Sequence, residues 1–175
     1  EQGYAVVAVN YRLSPAVKFP AHIEDVAQAF AWVHKNIGEY GGDQKRLFVA
    51  GGSAGGYLAT LLTLDGRYLR KHDLDPNIIV GTISISGLMN TEPVPAERLA
   101  LVWSQDPLVV RRASPQEYVR KDAPPILIMF ADGDTAGRKQ QNRRMGEMLE
   151  RVGHPDVTVR ELANRTHDSL RAHLA

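Results

Sequence analysis

The chain has 175 residues, a length typical of one domain, and 43% of them are hydrophobic, which is enough for a real core. Its 21 Lys and Arg residues nearly balance its 20 Asp and Glu residues, so charge gives no reason to expect nucleic acid as a partner. The absence of cysteine excludes disulfides, thiolate metal sites and a cysteine nucleophile. No apolar run approaches the roughly 20 residues of a membrane span.

The first half of the chain alternates between predicted strands and helices. The Val-rich apolar run 4–10 predicts a strand that is buried on both faces of a parallel sheet. Apolar residues at helical spacing then predict an amphipathic helix over residues 21–37. A second buried strand is predicted over residues 46–51, and it leads into an apolar helix over 54–64.

The same alternation continues after a third predicted strand at residues 78–85. Residues 88–124, with three prolines between Pro93 and Pro107, predict an excursion that contains one or two short helices and forms part of a substrate pocket.

The C-terminal part repeats the strand and helix pattern. The predicted elements are a strand over 125–131, a helix over 137–152, an edge strand over 157–162 and a last helix over 169–174. The whole chain, residues 1–175, is therefore predicted to be one α/β domain with a mostly parallel sheet flanked by helices.

Residues 51–56 (G-G-S-A-G-G) follow the second predicted strand and contain the pattern G-x-S-x-G. Between a strand and a helix, this pattern is typical of a nucleophile elbow, so Ser53 is the candidate nucleophile. Side chains at Gly51 and Gly55 are expected to collide with neighbouring backbone, and the N–H of Ala54 is the candidate oxyanion donor. An unreactive glycine-rich turn is the alternative, whereas a Walker loop or a dinucleotide fingerprint needs a spacing that the segment lacks.

A serine hydroxyl needs a nearby base, and His167 is the candidate because, of the six histidines, only it lies in the loop after the last predicted strand. The alternative is an ordinary surface histidine. The acid should follow the strand at 125–131, where Asp132 and Asp134 are available. We favour Asp134, since it lies beyond Gly133 and can reach back, and we expect Asp132 to shape the turn. The order Ser53, Asp134, His167 is the order that α/β-hydrolases use.

The sequence also predicts the positions of two further groups of residues, one basic and one apolar. The basic residues of the helix at 137–152 are predicted to form a solvated face: Arg138, Lys139, Arg143 and Arg144. Apolar residues of the excursion are candidate contacts for the acyl group, although a plain core or lid role is equally compatible with them: Leu88, Met89, Leu101, Val102 and Trp103.

Seven short motifs together resemble one family. They are N-Y-R-L-S-P at 10–15, F-P-A-H-I-E-D-V at 19–26, Y-G-G-D at 40–43, G-G-S-A-G-G at 51–56, D-A-P-P at 122–125, D-G-D at 132–134 and T-H-D-S-L at 166–170. In this order they resemble the α/β-hydrolase carboxylesterases and lipases related to hormone-sensitive lipase, especially small bacterial esterases and kynurenine-formamidase-like members. The resemblance extends over essentially the whole chain.

The resemblance implies hydrolysis of a small-molecule ester through an acyl-enzyme, without a metal or cofactor. It assigns the triad to Ser53, Asp134 and His167, and one oxyanion donor to Ala54. A small-amide hydrolase such as an arylformamidase is the alternative enzyme. A non-catalytic binding module that keeps the hydrolase scaffold is the alternative of another class, and the oligomeric state stays open.

One feature of the family is not found in this sequence. The family's H-G-G-G oxyanion loop precedes the strand that here begins near Tyr4, and the chain starts at Glu1, too late to contain that loop or the first strands of the sheet. We therefore expect a partial, N-terminally truncated catalytic domain. Such a chain, made alone, is expected to be poorly stable and nearly inactive. A lost oxyanion donor slows the reaction, and an exposed sheet edge favours aggregation or pairing.

Overall fold

A computed structural model describes residues 3–172. Within them, one sheet of four parallel strands has the order β1-β2-β3-β4. The strands are β1 Phe48–Gly52, β2 Gly81–Ile85, β3 Ile126–Ala131 and β4 Val157–Leu162. β4 lies at an edge of the sheet, as the sequence predicts.

Helices flank this sheet. They are α1 Ala21–Asn36, α2 Ala54–Leu64, α3 Arg67–Arg70, α4 Ala96–Val102, α5 Pro107–Arg112, α6 Ala136–Arg151 and α7 His167–Ala172. α2 packs against β1 and β2, and α6 packs against β3 and β4. Over the part of the chain that is described, no helix is both long enough and apolar enough to cross a membrane.

The predicted helices α1, α2 and α6 are confirmed to within one residue at each end, and the excursion at 88–124 contains the two short helices α4 and α5. The last helix begins at His167, two residues before its predicted start. The reason is a reciprocal cap, since the Thr166 N–H donates to Ser169 Oγ and the Ser169 N–H donates to Thr166 Oγ1. Residues 173–174 of that prediction lie outside the described chain.

The strand predicted at residues 4–10 is not found, and this prediction is wrong. The run pairs with no strand among the described residues, and its apolar side chains are exposed, Val6 to 91%. A strand needs a neighbour to satisfy its backbone hydrogen bonds, which apolar composition alone does not guarantee. The expectation of a fully buried β1 is also wrong, because Phe48 is 53% exposed and, among residues 3–172, β1 pairs with β2 alone.

The core lies in two main clusters beside the sheet. The larger one joins α1, α2 and α3 through side chains that include Ile23, Leu61, Leu62 and Leu69. The second one joins β3 and α6, and its members include Ile126, Ile128, Met145 and Leu149. These clusters fix the helices on the sheet and so fix the turns that leave the strand ends.

The parallel pairing brings the carboxyl ends of all strands to one edge of the sheet. The register aligns Gly52 with Ile85, and Ala131 with Leu162. The segments that directly follow the strands therefore meet at that edge, where ligands bind in sheets of this kind. Ser53 begins one of these segments.

Replacing Leu61 with alanine tests the position of the larger core. Leu61 is 0% exposed, so Leu61→Ala should lower the free energy of unfolding by about 2–5 kcal/mol, through lost burial and a residual cavity. Leu108→Ala is the control, since Leu108 in α5 is 66% exposed, and it should change that free energy by less than about 0.5 kcal/mol. Urea denaturation measures both, and equal midpoints for the two variants would contradict this core.

Candidate active site

Ser53 occupies the sharp turn between β1 and α2. Its backbone has φ 55 and ψ −111, in a region that side-chain-bearing residues rarely adopt and that costs about 1–3 kcal/mol. The surrounding structure holds it there, because the Ser53 N–H donates to the carbonyl of Ile85 at 2.8 Å. The strained elbow predicted from the sequence is present.

The glycines around Ser53 differ in how much space they have. A Cβ at Gly51 would lie 2.4 Å from the carbonyl carbon of Gly55, so only glycine fits there. The prediction that a side chain at Gly55 would collide with its neighbours is wrong, since a Cβ there meets nothing within 4 Å. Gly56 is the second tight position, because its Cβ would lie 3.0 Å from the carbonyl oxygens of Gly51 and Ile85. The close approach of α2 to the ends of β1 and β2 therefore depends on Gly51 and Gly56.

The structure brings together Ser53, His167 and Asp134. His167 Nε2 lies 2.9 Å from Ser53 Oγ, and His167 Nδ1 lies 2.6 Å from Asp134 Oδ1. The Asp134 side chain is only 2% exposed, whereas the imidazole is partly open to solvent. An ionised carboxylate at Nδ1 requires that this nitrogen carries the proton, which leaves Nε2 free to accept the hydroxyl proton of Ser53.

Hydrogen bonds keep Asp134 ionised. Burial raises the pKa of Asp134, but hydrogen bonds from Ser86 and His167, together with the Ala131 N–H, outweigh burial and hold this pKa below its ordinary value. Ser86 Oγ donates to Asp134 Oδ2 at 2.5 Å, and the Ala131 N–H donates to the same oxygen at 3.1 Å. Sequence reasoning missed Ser86. Its position directly after β2, at the same edge as Ser53, was the available signal.

Asp132 has a separate place in the site. Its carboxylate accepts the N–H groups of Asn164 at 2.8 Å and Arg165 at 3.0 Å, and these hydrogen bonds lower the pKa of Asp132. Next to it, the Gly133 N–H donates to the carbonyl of Arg165 at 3.0 Å. Asp132 therefore fixes the loop that leads to His167, while Asp134 holds the imidazole itself.

A cavity of about 680 Å³ opens beside Ser53. Three of the candidate acyl contacts line it, namely Leu88, Val102 and Trp103. Met89 does not line it, because Met89 is buried in the core cluster of β3 and α6, and Leu101 points to solvent. Ala54, the first residue of α2, lines the cavity next to Ser53.

Tyr57 and Trp103 form one wall of this cavity. Trp103 Nε1 donates to the hydroxyl of Tyr57 at 3.0 Å, and the two rings pack edge to face with centroids 5.9 Å apart. Burial raises the pKa of Tyr57 far above its ordinary value, so its hydroxyl stays neutral. The wall joins α2 to the excursion at 88–124.

A second serine and histidine contact lies in the same cavity. His22 Nε2 lies 3.0 Å from Ser14 Oγ, but the Ser14 hydroxyl donates to the carbonyl of Val17 at 3.0 Å. The imidazole of His22 therefore donates to Ser14 instead of accepting from it. Among residues 3–172, no carboxylate is hydrogen-bonded to His22, so this pair lacks the third member that orients a catalytic base.

The basic residues of α6 do not form one solvated face, and this prediction is wrong for Arg138. Arg138 lies in the wall of the cavity and is partly buried. Lys139 Nζ donates to the carbonyl of Asp132, and Arg143 pairs with Glu161. Arg144 is exposed, as predicted. Residues 3–172 contain no cluster of three or more side chains suited to hold a metal ion.

Comparison with known proteins gives the family. The BD-FAE family matches residues 1–149, which include Ser53 and Asp134. The chain belongs to the BD-FAE family. Membership agrees with the resemblance to carboxylesterases related to hormone-sensitive lipase, which the curated relatives confirm.

Two of those relatives come from Mycobacterium tuberculosis. Esterase LipQ is 30% identical over 181 residues, which cover 95% of this chain and 43% of LipQ. The probable carboxylic ester hydrolase LipM is 31% identical over 182 residues, and this match covers 95% of this chain and 42% of LipM. The chain thus spans less than half the length of the curated relatives that it matches.

Solved structures show the fold. EstE1, a thermostable carboxylesterase cloned from a metagenomic library, superposes with a TM-score of 0.78 at 23% identity, covering 94% of this chain and 64% of EstE1. A truncated carbohydrate esterase from gut microbiota gives the same TM-score at 22% identity, covering 91% of this chain and 66% of that protein. The α/β-hydrolase fold predicted from the sequence is confirmed.

Gly51 and Gly55 offer a matched test of the elbow. Gly51→Ala forces a Cβ into the backbone of Gly55 and should lower the free energy of unfolding by about 1–3 kcal/mol or more. Gly55→Ala should leave that free energy within about 1 kcal/mol, since the site has room and alanine favours a helix. Chemical denaturation of both variants measures the difference. Equal destabilisation would show that the backbone at the elbow is not as close as described.

Proposed function

We propose that this chain carries the catalytic residues of a serine hydrolase that cleaves carboxylic esters, with Ser53 as nucleophile, His167 as general base and Asp134 as the acid that orients it. The observation that carries the proposal is the continuous series of hydrogen bonds from Ser53 Oγ through both nitrogens of His167 to Asp134. This is the arrangement that activates a serine hydroxyl.

The proposed reaction has two steps. His167 Nε2 takes the proton of Ser53 Oγ as this oxygen attacks the ester carbonyl carbon, and the protonated imidazole then gives the proton to the leaving alcohol. A water molecule repeats the sequence on the acyl-enzyme and releases the acid. The carboxylate of Asp134 stabilises the transient imidazolium, which is why its ionised state matters.

The negative charge that develops on the carbonyl oxygen needs donors. We assign one of them to the N–H of Ala54, because Ala54 is the first residue of α2 and lines the cavity next to Ser53. The first N–H groups of a helix have no partner within the helix, and they lie at the positive end of the helix dipole. Both features favour an oxyanion at this place.

The division of the chain is also proposed. Residues 1–175 belong to one catalytic domain, and residues 88–124 form a wall of its substrate cavity, which Leu88, Val102 and Trp103 line. Because the named relatives are much longer than this chain, ester hydrolysis is proposed for the protein at its natural full length.

Two observations favour a small-molecule ester over the alternatives. The relatives that cover 95% of the chain are named as an esterase and a probable carboxylic ester hydrolase, which favours an ester over an amide substrate. A binding module does not need a base aligned on its serine. The 2.9 Å contact between His167 Nε2 and Ser53 Oγ therefore favours catalysis over binding alone.

Labelling with a fluorophosphonate tests the nucleophile. The reagent should attach to the natural protein at Ser53, and Ser53→Ala should abolish labelling and lower ester turnover by about 10⁴-fold or more. Ser14→Ala is the matched control, since Ser14 lines the same cavity beside a histidine but donates its proton to a carbonyl. Peptide mass spectrometry locates the adduct. Labelling that persists in Ser53→Ala would exclude Ser53 as the nucleophile.

Neutralising each aspartate in turn tests which one is the acid. Asp134→Asn should lower kcat by about 10³- to 10⁴-fold, because an amide at Nδ1 favours the wrong imidazole tautomer. Asp132→Asn keeps one acceptor oxygen for the loop at 164–165 and should lower kcat by about tenfold or less. Steady-state kinetics on one neutral ester compares them, and a larger loss for Asp132→Asn would reverse the assignment.

A further inference from the structure

The charged side chains of the cavity beside Ser53 are all basic. Arg98 from α4 and Arg138 from α6 line it, together with the imidazole of His22, and no Asp or Glu is among the described residues that line it. Most of the remaining wall is apolar or aromatic, including Leu88, Val102 and Trp103. A cavity with this lining combines apolar contact area with a local positive potential.

Arg138 has an unused hydrogen-bond donor inside the protein. Its Nη1 is buried, and no residue of the described chain accepts a hydrogen bond from it. Its guanidinium also forms no ion pair with a carboxylate of residues 3–172. Leaving a buried charged donor without a partner is costly, and because the Arg138 side chain lines the cavity, an acceptor on the substrate is the candidate partner.

Asp134 does not neutralise Arg138. Asp134 attracts it electrostatically, but Asp134 Oδ1 accepts from His167, and Oδ2 accepts from Ser86 and Ala131. Burial lowers the pKa of Arg138, and repulsion from Arg98 lowers it further, yet a guanidinium stays charged at neutral pH. Arg98 likewise forms no ion pair with a carboxylate of the described residues, so both guanidiniums of the cavity remain available to a bound anion.

We propose that this cavity binds a carboxylate of the substrate through Arg138 and Arg98, so that the preferred esters carry one negative charge at a distance from the bond that is cleaved. This proposal rests on the proposed esterase function and specifies its substrate class. A planar guanidinium matches a carboxylate with two parallel hydrogen bonds.

The shape of the cavity fits such a molecule. Its volume of about 680 Å³ accommodates an ester together with a short apolar arm that ends in a carboxylate. Leu88, Val102 and Trp103 provide the contact surface for the arm, and the Trp103–Tyr57 hydrogen bond keeps that surface in place. Arg98 is exposed, so its contribution should weaken as salt screens it.

Matched pairs of esters test the proposal on the protein at its natural full length. For a charge on the acyl side, mono-4-nitrophenyl adipate is compared with 4-nitrophenyl hexanoate. For a charge on the alcohol side, 4-acetoxybenzoate is compared with 4-acetoxybenzamide. We expect kcat/KM to favour the anionic member of at least one pair by about tenfold or more, the range for a charge-assisted hydrogen bond, and the favoured pair identifies the side that carries the carboxylate.

Three variants then test the arginines. Arg138→Gln should lower the ratio of anionic to neutral kcat/KM by about tenfold or more, and Arg98→Gln should lower it by a smaller factor that shrinks at high salt. Arg144→Gln is the matched control, because it removes the same charge from the exposed side of α6 and should leave the ratio unchanged. A general loss of activity lowers kcat/KM for the anionic and the neutral ester by the same factor, so it does not change their ratio. A ratio near one in the natural protein, or the same ratio in all three variants, would overturn the proposal.

Calorimetry on the Ser53→Ala protein separates this proposal from the esterase assignment. That protein cannot form the acyl-enzyme, so binding of both pairs of esters reports recognition alone. Tighter binding of the anionic member of at least one pair, lost when Arg138→Gln is added to Ser53→Ala, supports the arginine site. Equal binding of the two members in both pairs, with Ser53-dependent hydrolysis of the neutral esters intact, rejects the arginine site and leaves the esterase. Absence of Ser53-dependent hydrolysis of every ester rejects the esterase function itself.

Discussion

The parallel pairing of four strands places all their carboxyl ends at one edge of the sheet. Each residue of the candidate site follows one of those strand ends along the chain. Ser53 follows β1, Ser86 follows β2, Asp134 follows β3 and His167 follows β4. The pairing register sets the spacing of the turns, and the two core clusters fix the helices that continue from them. A change of pairing in the sheet would therefore displace several residues of the candidate site together, because each of them follows the end of a strand.

This dependence explains how much the sequence alone could predict. In a parallel sheet, chain order and strand ends determine which loops meet, so G-x-S-x-G after one strand, D-G-D after another and a loop histidine after a third were enough to place Ser53, Asp134 and His167 together. Helices α1 and α6 were predictable from apolar residues at helical spacing, and α2 from an almost continuous apolar run after Ser53. Asp132 and Asp134 could be told apart because only Asp134 lies beyond the turn that follows β3, where the Asp134 N–H donates to the carbonyl of Ala131.

Other features depend on contacts that a single sequence does not contain. The run at residues 4–10 has the composition of a buried strand, but pairing depends on a neighbour, and the described chain provides none. Gly56, and not Gly55, is the crowded glycine, since crowding depends on the approach of β2 as well as on the elbow. Arg138 belongs to a basic cluster in sequence, yet only its position in the first turn of α6 directs it into the cavity.

The contacts of Asp132 and Gly133 with the backbone at 164–165 bind the turn after β3 to the loop after β4. A Cβ at Gly133 would lie 2.7 Å from the Arg165 carbonyl oxygen, so the two segments are packed as closely as backbone allows. Asp134 and His167 consequently belong to one mechanical unit, and a displacement of either turn carries both groups. Ser53 lies in a different segment, the turn between β1 and α2. The contact between Ser53 Oγ and His167 Nε2 therefore joins two segments of the chain, whereas the contact between His167 Nδ1 and Asp134 Oδ1 lies within one such unit.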